Sequence, residues 1–191
     1  HKHAPAMPLF LKEDFTGNLI PALKAGELDV IVIALPFAEA GLVAQPVYEE
    51  PCRVVVPAAH PWVERPDVSA DELDGQNLLL LGQGNCFRDQ VVQACPHLSE
   101  PGGANGALEG SSLETVRHMV ASGVGISVVP ISAAKSWPQN GSLLQYRDFT
   151  QPAPFRRVGI AWRASFPRPQ AIDVLRAAIL DAPPPGVSAI A

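Results

Sequence analysis

Short apolar runs alternate with segments of helical periodicity along most of this chain. Residues 28–35 form an apolar, β-branched run, which is typical of a strand buried on both faces of a sheet. The preceding residues 19–25 predict a helix capped by Asn18 and ended by Gly26, with Pro21 in its first turn, where a missing N–H is harmless. Helix and buried strand in succession indicate an α/β protein.

The alternation continues towards the end of the chain. Strands are predicted at residues 52–56, 77–81, 125–129 and 158–162, and helices at residues 87–94, 111–123 and 170–180. Ser111 and Glu114 fit a capping box at the start of the second of these helices. The Pro-rich residues 183–191 predict a loose tail. The whole pattern predicts an α/β fold with mostly parallel sheets, which bind ligands beyond the carboxyl ends of their strands.

Charge and hydropathy exclude several classes of function. The net charge is −5 with scattered Lys and Arg, so the chain itself offers no basic stripe for a nucleic acid. No apolar run reaches the roughly 20 residues that span a bilayer, and the start lacks the layout of a signal peptide. We therefore expect a cytoplasmic protein with no membrane contact. Because the first residue is His1 rather than Met, we also expect a further module upstream.

The cysteine content argues against a disulfide framework and against a metal site. Three cysteines are too few for a framework, and no second Cys pair completes a zinc site. The terminal His1 and His3 are interpreted as incidental. We therefore expect no metal and no other cofactor.

Cys86 lies between a predicted strand and a predicted helix. At the first turn of a helix, unpaired backbone N–H groups and the positive end of the dipole favour a thiolate. Arg88, two residues further on, adds positive charge to this region. Cys86 is thus a candidate nucleophile, and the alternative is a small apolar residue in a helix–sheet interface.

The spacing of Cys86 and Cys95 indicates a switch. Nine helical residues separate two Cα atoms by about 13 Å, whereas a disulfide requires about 7 Å or less. A bond between these cysteines therefore requires the intervening helix to unwind. Val91, Val92 and the helix-ending Pro96 make that helix easy to lose. The alternative is that both thiols are buried and unreactive.

Several motifs resemble those of one regulator family. The motifs are NCFRDQ at residues 85–90 with Cys95 after it, SLETVRHMVASGVGI at 112–126, VVP at 128–130, GELDVIVI at 26–33, Glu50-Pro51 before a strand, and HPW at 60–62. Together they resemble the regulatory domains of the OxyR family, the hydrogen-peroxide-sensing branch of the LysR-type transcription regulators. The resemblance covers nearly the whole chain, and the paired cysteines are its most specific part.

The resemblance implies two α/β subdomains similar to type-II periplasmic binding proteins, with the chain crossing between them near residues 46–50 and 152–158. Residues 1–48 and 155–182 would form the first subdomain. Residues 49–154, with both cysteines, would form the second. The first strand of the family and its N-terminal DNA-binding domain would lie upstream of this chain.

The resemblance also implies a function. Cys86 would be the peroxidatic cysteine that hydrogen peroxide oxidises to sulfenic acid, and Cys95 would be the resolving cysteine. The disulfide would remodel a homodimer, or a tetramer of the full-length protein, and so control antioxidant genes. DNA would be bound only through the absent N-terminal domain. The protein would be a regulator and not an enzyme.

By similarity, four further residues belong to the peroxide pocket: Thr16, Asn85, Asp89 and Arg163. Thr16 has the alternative role of a hydroxyl at a helix start. Asp89 and Arg163 have the alternative of surface or ion-pair side chains. The chain departs from the family at Asn85 and Ala107, two positions where His is frequent. Asn85 donates hydrogen bonds but does not titrate near neutral pH.

Two other functions remain open from the sequence. One is a LysR-type domain that binds a small metabolite in the cleft between subdomains, with inert cysteines. The other is a thiol peroxidase, which would turn over repeatedly with a reductant.

Overall fold

A computed structural model of the chain describes residues 4–94, 108–135 and 143–190. In chain order the elements are α1 (Thr16–Ala25), β1 (Val30–Leu35), β2 (Leu42–Pro57), β3 (Asp67–Val68), β4 (Leu78–Leu81), α2 (Cys86–Ala94), β5 (Leu108–Gly110), α3 (Leu113–Ala121), β6 (Ile126–Pro130), α4 (Ile131–Lys135), β7 (Leu144–Phe149), β8 (Phe155–Arg163), α5 (Pro169–Asp181) and β9 (Ser188–Ala189). Two 3-10 helices, Pro61–Glu64 and Ala70–Leu73, flank β3.

The chain divides into two compact units. The first unit contains His1–Glu49 and Arg157–Ala191, and the second contains Glu50–Arg156. One boundary falls within β2 and the other within β8. The assignment of these units to the two subdomains of the family stays a prediction.

In the first unit, antiparallel strands pack against α1 and α5. β1 pairs with β8 from Val30 opposite Trp162 to Leu35 opposite Arg157, and β8 also pairs with β2. Leu23 of α1 packs with Ile31 and Ile33 of β1 in one apolar cluster. β2 and β9 are antiparallel as well, whereas the sequence predicted mostly parallel pairing.

The start of α1 differs from the prediction. The helix begins at Thr16, and Asn18 lies inside it and donates to Asp14 Oδ1 at 2.7 Å. The same carboxylate oxygen accepts from the Phe15 N–H at 2.8 Å, so Asp14 organises the entry to the helix. Pro21 consequently lies in the helix interior. The predicted end at Gly26 is confirmed, because Gly26 has the left-handed conformation that closes a helix.

The predicted loose tail was wrong for its last part. Ser188 and Ala189 form β9 opposite Glu49 and Tyr48 of β2. The Ile190 N–H then donates to the Val47 carbonyl at 2.8 Å. Composition did not reveal this pairing, because the partner strand lies about 140 residues away in sequence.

The second unit contains a mixed sheet with the larger core. β4 pairs in parallel with β5 and β6, and β3 pairs in parallel with β7. β2 pairs antiparallel with β6 and β7. All four residues of β4 are buried, as expected for a central strand covered on both faces. The α/β class predicted from the sequence is confirmed.

The helix cap predicted at Ser111 is displaced by one residue, and it is a single serine cap rather than a capping box, because Thr115 stands where a capping box has Glu or Gln. Ser112 is the N-cap of α3, and its hydroxyl accepts from the Thr115 N–H at 3.1 Å. The adjacent Ser111 hydroxyl lies 3.3 Å from Thr115 Oγ1 instead. Two consecutive serines made the register ambiguous from sequence.

Within the described ranges, none of the helices is long and apolar enough to cross a membrane.

Candidate redox site

A tight turn carries the chain from β4 into α2. Gly84 has φ +86°, a backbone conformation that favours glycine, and Asn85 and Cys86 follow it directly. Asn85 Oδ1 accepts a hydrogen bond from the Phe87 N–H at 3.0 Å. Asn85 is therefore the N-cap side chain of α2, and it satisfies one of the four N–H groups that a helix start leaves unpaired.

Cys86 is the first residue of α2 and carries a free thiol. It is half-buried, so the residue lies at the margin of the core. Phe87 and Val91, one helical turn apart, are buried and attach α2 to the core of the second unit. Phe87, which is anchored in the core, thus holds the adjacent thiol beside a solvent-accessible turn.

Arg88 connects the first turn of α2 to the sheet. Its Nη1 donates to the Leu81 carbonyl at 2.9 Å and to Glu109 Oε1 at 2.7 Å. Arg88 is mostly buried, with 11% of its side chain exposed, whereas Glu109 is 42% exposed. The sequence predicted that Arg88 adds positive charge near Cys86, but Glu109 largely offsets that charge.

Asp89 lies in the first turn of α2 with an exposed side chain. The structure thus places Asn85, Cys86 and Asp89 of the predicted site on one helical turn. Cys95 and Ala107 lie outside the described residues.

Thr16 and Arg163 belong to the first unit. Thr16 is the half-buried first residue of α1, and the N-cap position is occupied by Phe15 without a side-chain capping bond. Arg163 donates to the carbonyls of Leu23 and Leu28 and faces Asp29 at 3.8 Å. Arg163 therefore ties the end of α1 to the loop before β1, which agrees with its alternative ion-pair role.

Sequence reasoning missed three charged residues of the second unit. Glu109 holds Arg88, and Arg156 and Glu50 form a buried ion pair close to Phe87. Glu50 attracted attention only as part of a family motif. Its complete burial was not readable from local sequence, because charged residues are almost always exposed unless a distant partner compensates them.

The described part of the chain contains no group of three or more His, Cys, Asp or Glu side chains that could hold a metal ion.

Comparison with known proteins defines the class of this chain. It matches the LysR substrate binding domain over residues 1–184, and it belongs to that family. It is 50% identical to the reduced form of the OxyR regulatory domain from Pseudomonas aeruginosa, with a TM-score of 0.85 over 94% of this chain and 86% of that one. The resemblance stated from the motifs is confirmed.

Two curated regulators extend this similarity. The chain is 32% identical over 183 residues to a probable hydrogen peroxide-inducible genes activator of Streptomyces viridosporus, which covers 95% of this chain and 58% of that protein. It is 31% identical over 179 residues to the DNA-binding transcriptional dual regulator OxyR of Escherichia coli K12, which covers 94% and 58%. The chain therefore spans somewhat more than half the length of these relatives.

Proposed function

We propose that this chain is the hydrogen-peroxide-sensing regulatory domain of a LysR-type transcription regulator, with Cys86 as the sensor thiol. The observation that carries the proposal is the free, half-buried thiol of Cys86 on the first turn of a helix that ends one residue before Cys95. Similarity to regulators named for hydrogen peroxide supports the choice of oxidant.

The chemistry consists of two steps. The Cys86 thiolate attacks one oxygen of hydrogen peroxide, the O–O bond breaks, and Cys86 sulfenic acid forms while hydroxide leaves and is protonated to water. The Cys95 thiolate then attacks the Cys86 sulfur, the S–O bond breaks and a second water leaves. Two thiols are oxidised by two electrons in total, and one peroxide is reduced to two waters.

The second step requires α2 to unwind. From Cys86 to Ala94 the helix rises eight residues, which corresponds to about 12 Å at 1.5 Å per residue. Cys95 follows Ala94 by one peptide unit of about 3.8 Å, so the intact helix keeps the two Cα atoms beyond the roughly 7 Å limit of a disulfide. Oxidation is therefore coupled to local refolding.

The anchoring of α2 suits a helix that is lost on oxidation. A nine-residue helix is unstable alone, so its persistence depends on the Asn85 cap, the buried Phe87 and Val91, and the Arg88–Glu109 pair. The partly buried Val92 packs against the same core. Formation of the disulfide competes with these interactions.

The predicted pocket residues have distinct parts in this proposal. Asn85 caps α2 and presents a neutral amide beside the thiol, so no titrating imidazole at this position contributes to the peroxide reaction. Asp89 adds an exposed carboxylate to the same turn. For Thr16 and Arg163, the proposed contact with peroxide rests on the family resemblance alone.

The complete regulator acts in the cytoplasm as a homodimer or a tetramer. It binds DNA through a separate domain upstream of this one. The disulfide changes the dimer and thereby the activity of the promoter. One stoichiometric oxidation per chain, rather than repeated turnover, makes the domain a regulator and not an enzyme.

Thiol mapping tests the proposal. The reduced chain is treated with one equivalent of hydrogen peroxide and digested, and its cysteine linkages are identified by mass spectrometry. We expect a Cys86–Cys95 linkage, a trapped sulfenic acid at Cys86 in Cys95→Ser, and no reaction in Cys86→Ser. Cys52→Ala, which removes the buried thiol of β2, is the matched control and should react like the natural chain. Absence of the Cys86–Cys95 linkage in the natural chain would refute the mechanism.

The same samples discriminate the two alternatives. A metabolite-binding domain would show thermal stabilisation by its ligand that is unchanged in Cys86→Ser. A thiol peroxidase would sustain rapid consumption of many equivalents of peroxide when supplied with dithiothreitol, whereas the proposed sensor is recycled slowly and consumes about one equivalent per chain in the same time.

A further inference from the structure

A buried ion pair lies at the two positions where the chain enters and leaves the second unit. Glu50 is the first residue of this unit and Arg156 is the last. Arg156 Nε and Nη2 both approach Glu50 Oε2, at 2.7 and 2.6 Å. The Glu50 side chain is 1% exposed, so this carboxylate depends almost entirely on protein partners.

Glu50 has a second partner in the same unit. Its Oε1 accepts from the Ser132 N–H, in the first turn of α4, at 3.0 Å. A backbone bond from the Cys52 N–H to the Pro154 carbonyl, at 2.8 Å, joins the same two crossing segments nearby. Glu50 thus connects the entering strand, the leaving strand and α4.

Phe87 connects this ion pair to the sensor helix. The Arg156 guanidinium carbon lies 5.3 Å from the centroid of the Phe87 ring, within the range of a cation–π contact. Phe87 is 4% exposed and is bonded directly to Cys86. When the first turn of α2 unwinds, the ring leaves Arg156, and water reaches one face of the ion pair.

We propose that the contact of Phe87 with the Arg156–Glu50 pair transmits the state of α2 to the strands that cross between the units. Phe87 and Arg156 are positioning residues in this role, since neither reacts with peroxide. With the ring in place, Glu50 is buried, Arg156 is only 21% exposed, and the pair joins the two crossing strands. Without it, the pair is hydrated and weaker, because opposite charges attract far less in water than in a protein interior. The inference rests on the proposed function only for its trigger, the oxidation of Cys86.

A matched pair of residues provides the control. Glu49 and Arg157 occupy the adjacent positions on the same two strands and form an ion pair of similar length, with Nη2 to Oε1 at 2.6 Å. This pair belongs to the first unit and is exposed, at 36% for Glu49 and 49% for Arg157. The Glu49–Arg157 pair thus has the same chemistry as the Glu50–Arg156 pair and lies next to it in sequence. It is not buried against Phe87.

Amide hydrogen exchange of the 191-residue chain, read by NMR at Ser132 and Cys52, tests the proposal. In the natural chain we expect oxidation to accelerate Ser132 exchange about tenfold, the ratio expected when a desolvated contact of this kind is lost. Reduced Phe87→Leu, which keeps an apolar side chain but removes the ring face, should show the same acceleration without oxidation. Glu50→Gln should exchange fast in both redox states, and Glu49→Gln should keep the response of the natural chain.

Two results separate this proposal from the one it rests on. If the disulfide forms but Ser132 exchange changes less than about twofold, the transmission is overturned while the sensor stands. If no disulfide forms, the sensor fails, and reduced Phe87→Leu still decides the coupling of the ring to the ion pair. Slow exchange of the Ser132 amide in reduced Phe87→Leu contradicts the proposal, even if the Glu50→Gln variant does not fold.

Discussion

Helices α2 and α3 have the same length and similar positions but different attachments. Both contain nine residues in the second unit, and each begins shortly after a strand of the parallel part of the sheet. α3 buries Val116, Arg117 and Val120, and the Arg117 Nη2 donates to the Tyr146 hydroxyl at 2.9 Å. α2 buries Phe87 in its first turn and Val91 one turn further on.

α3 has close contacts at both of its ends. At the start of α3, a Cβ added to Gly110 would lie 2.5 Å from Val116 Cγ2, so this helix approaches the sheet as closely as glycine permits. Its end is closed by a bond from the Gly123 N–H to the Val120 carbonyl at 2.9 Å, with φ +76° at Gly123. The comparison teaches that two helices of one sheet and of equal length can be attached differently: α3 approaches the sheet closely at Gly110, and the proposed function assigns to α2 the role of the helix that is released.

The largest expected effect comes from the main anchor of α2. Phe87→Ala should lower the free energy of unfolding by about 3 kcal/mol, because it leaves a cavity under the helix. Urea denaturation of the reduced chain measures this cost. Val92→Ala, on the same helix but only partly buried, is the control and should cost clearly less. Equal costs for both would mean that α2 has no dominant anchor.

The next largest effect is expected at the buried contact of α3. Tyr146→Phe should cost about 2 kcal/mol, since it leaves the buried Arg117 with one hydrogen-bond acceptor fewer. Thermal or urea unfolding gives the value. A cost near zero would show that α3 does not depend on this bond and would weaken the contrast with α2.

The same tyrosine predicts a dependence on alkaline pH. Burial raises the pKa of Tyr146 above its usual value of 10.0, and the nearby Arg117 charge opposes the shift more weakly. The neutral phenol is therefore favoured in the folded state. Stability from this group is complete below pH 10 and is lost as the pH rises towards the folded pKa. The difference in melting temperature between the natural chain and Tyr146→Phe should narrow over that window, and a constant difference would contradict the prediction.

The helix caps should distinguish global from local stability. Ser112→Ala and Asn85→Ala each remove one capping bond, with a typical cost of about 1 kcal/mol. For Ser112→Ala we expect the full cost in global unfolding. For Asn85→Ala we expect a smaller global cost but about fivefold faster amide exchange in α2, because this helix opens without the rest of the unit. Identical behaviour of the two variants would remove the distinction.

The smallest effect is expected at the ion pair of α2. Glu109→Gln should cost about 0.5 kcal/mol, because the carboxylate is largely exposed to solvent and the pair is screened. The cost should decrease further in about 1 M salt, where the Debye length is near 3 Å. Urea denaturation at both salt concentrations measures it. A cost above about 2 kcal/mol would indicate that Arg88 is a main anchor rather than an auxiliary one.

The local sequence predicted those parts of the fold that depend on short-range patterns. The strands near residues 30, 54, 79 and 128 were found because apolar runs between breakers define them. The prediction that the first of them is buried on both faces was wrong, since Val32 in the middle of β1 is 56% exposed. The short strands β3, β5, β7 and β9 were missed, since they are determined by their partners and not by their own composition. Helix starts were displaced at α1 and α3, where several capping residues lie side by side.

By itself, the sequence determined the α/β class, the family, and two cysteines at a spacing that an intact helix cannot bring together, because periodicity and spacing are properties of the chain. Only the tertiary structure decided that Asn85 caps α2, that Glu109 offsets Arg88, and that Phe87 contacts the Arg156–Glu50 pair. Each of the last two contacts joins residues more than twenty positions apart. Packing selects such partners through burial and charge compensation, and no local pattern records the choice.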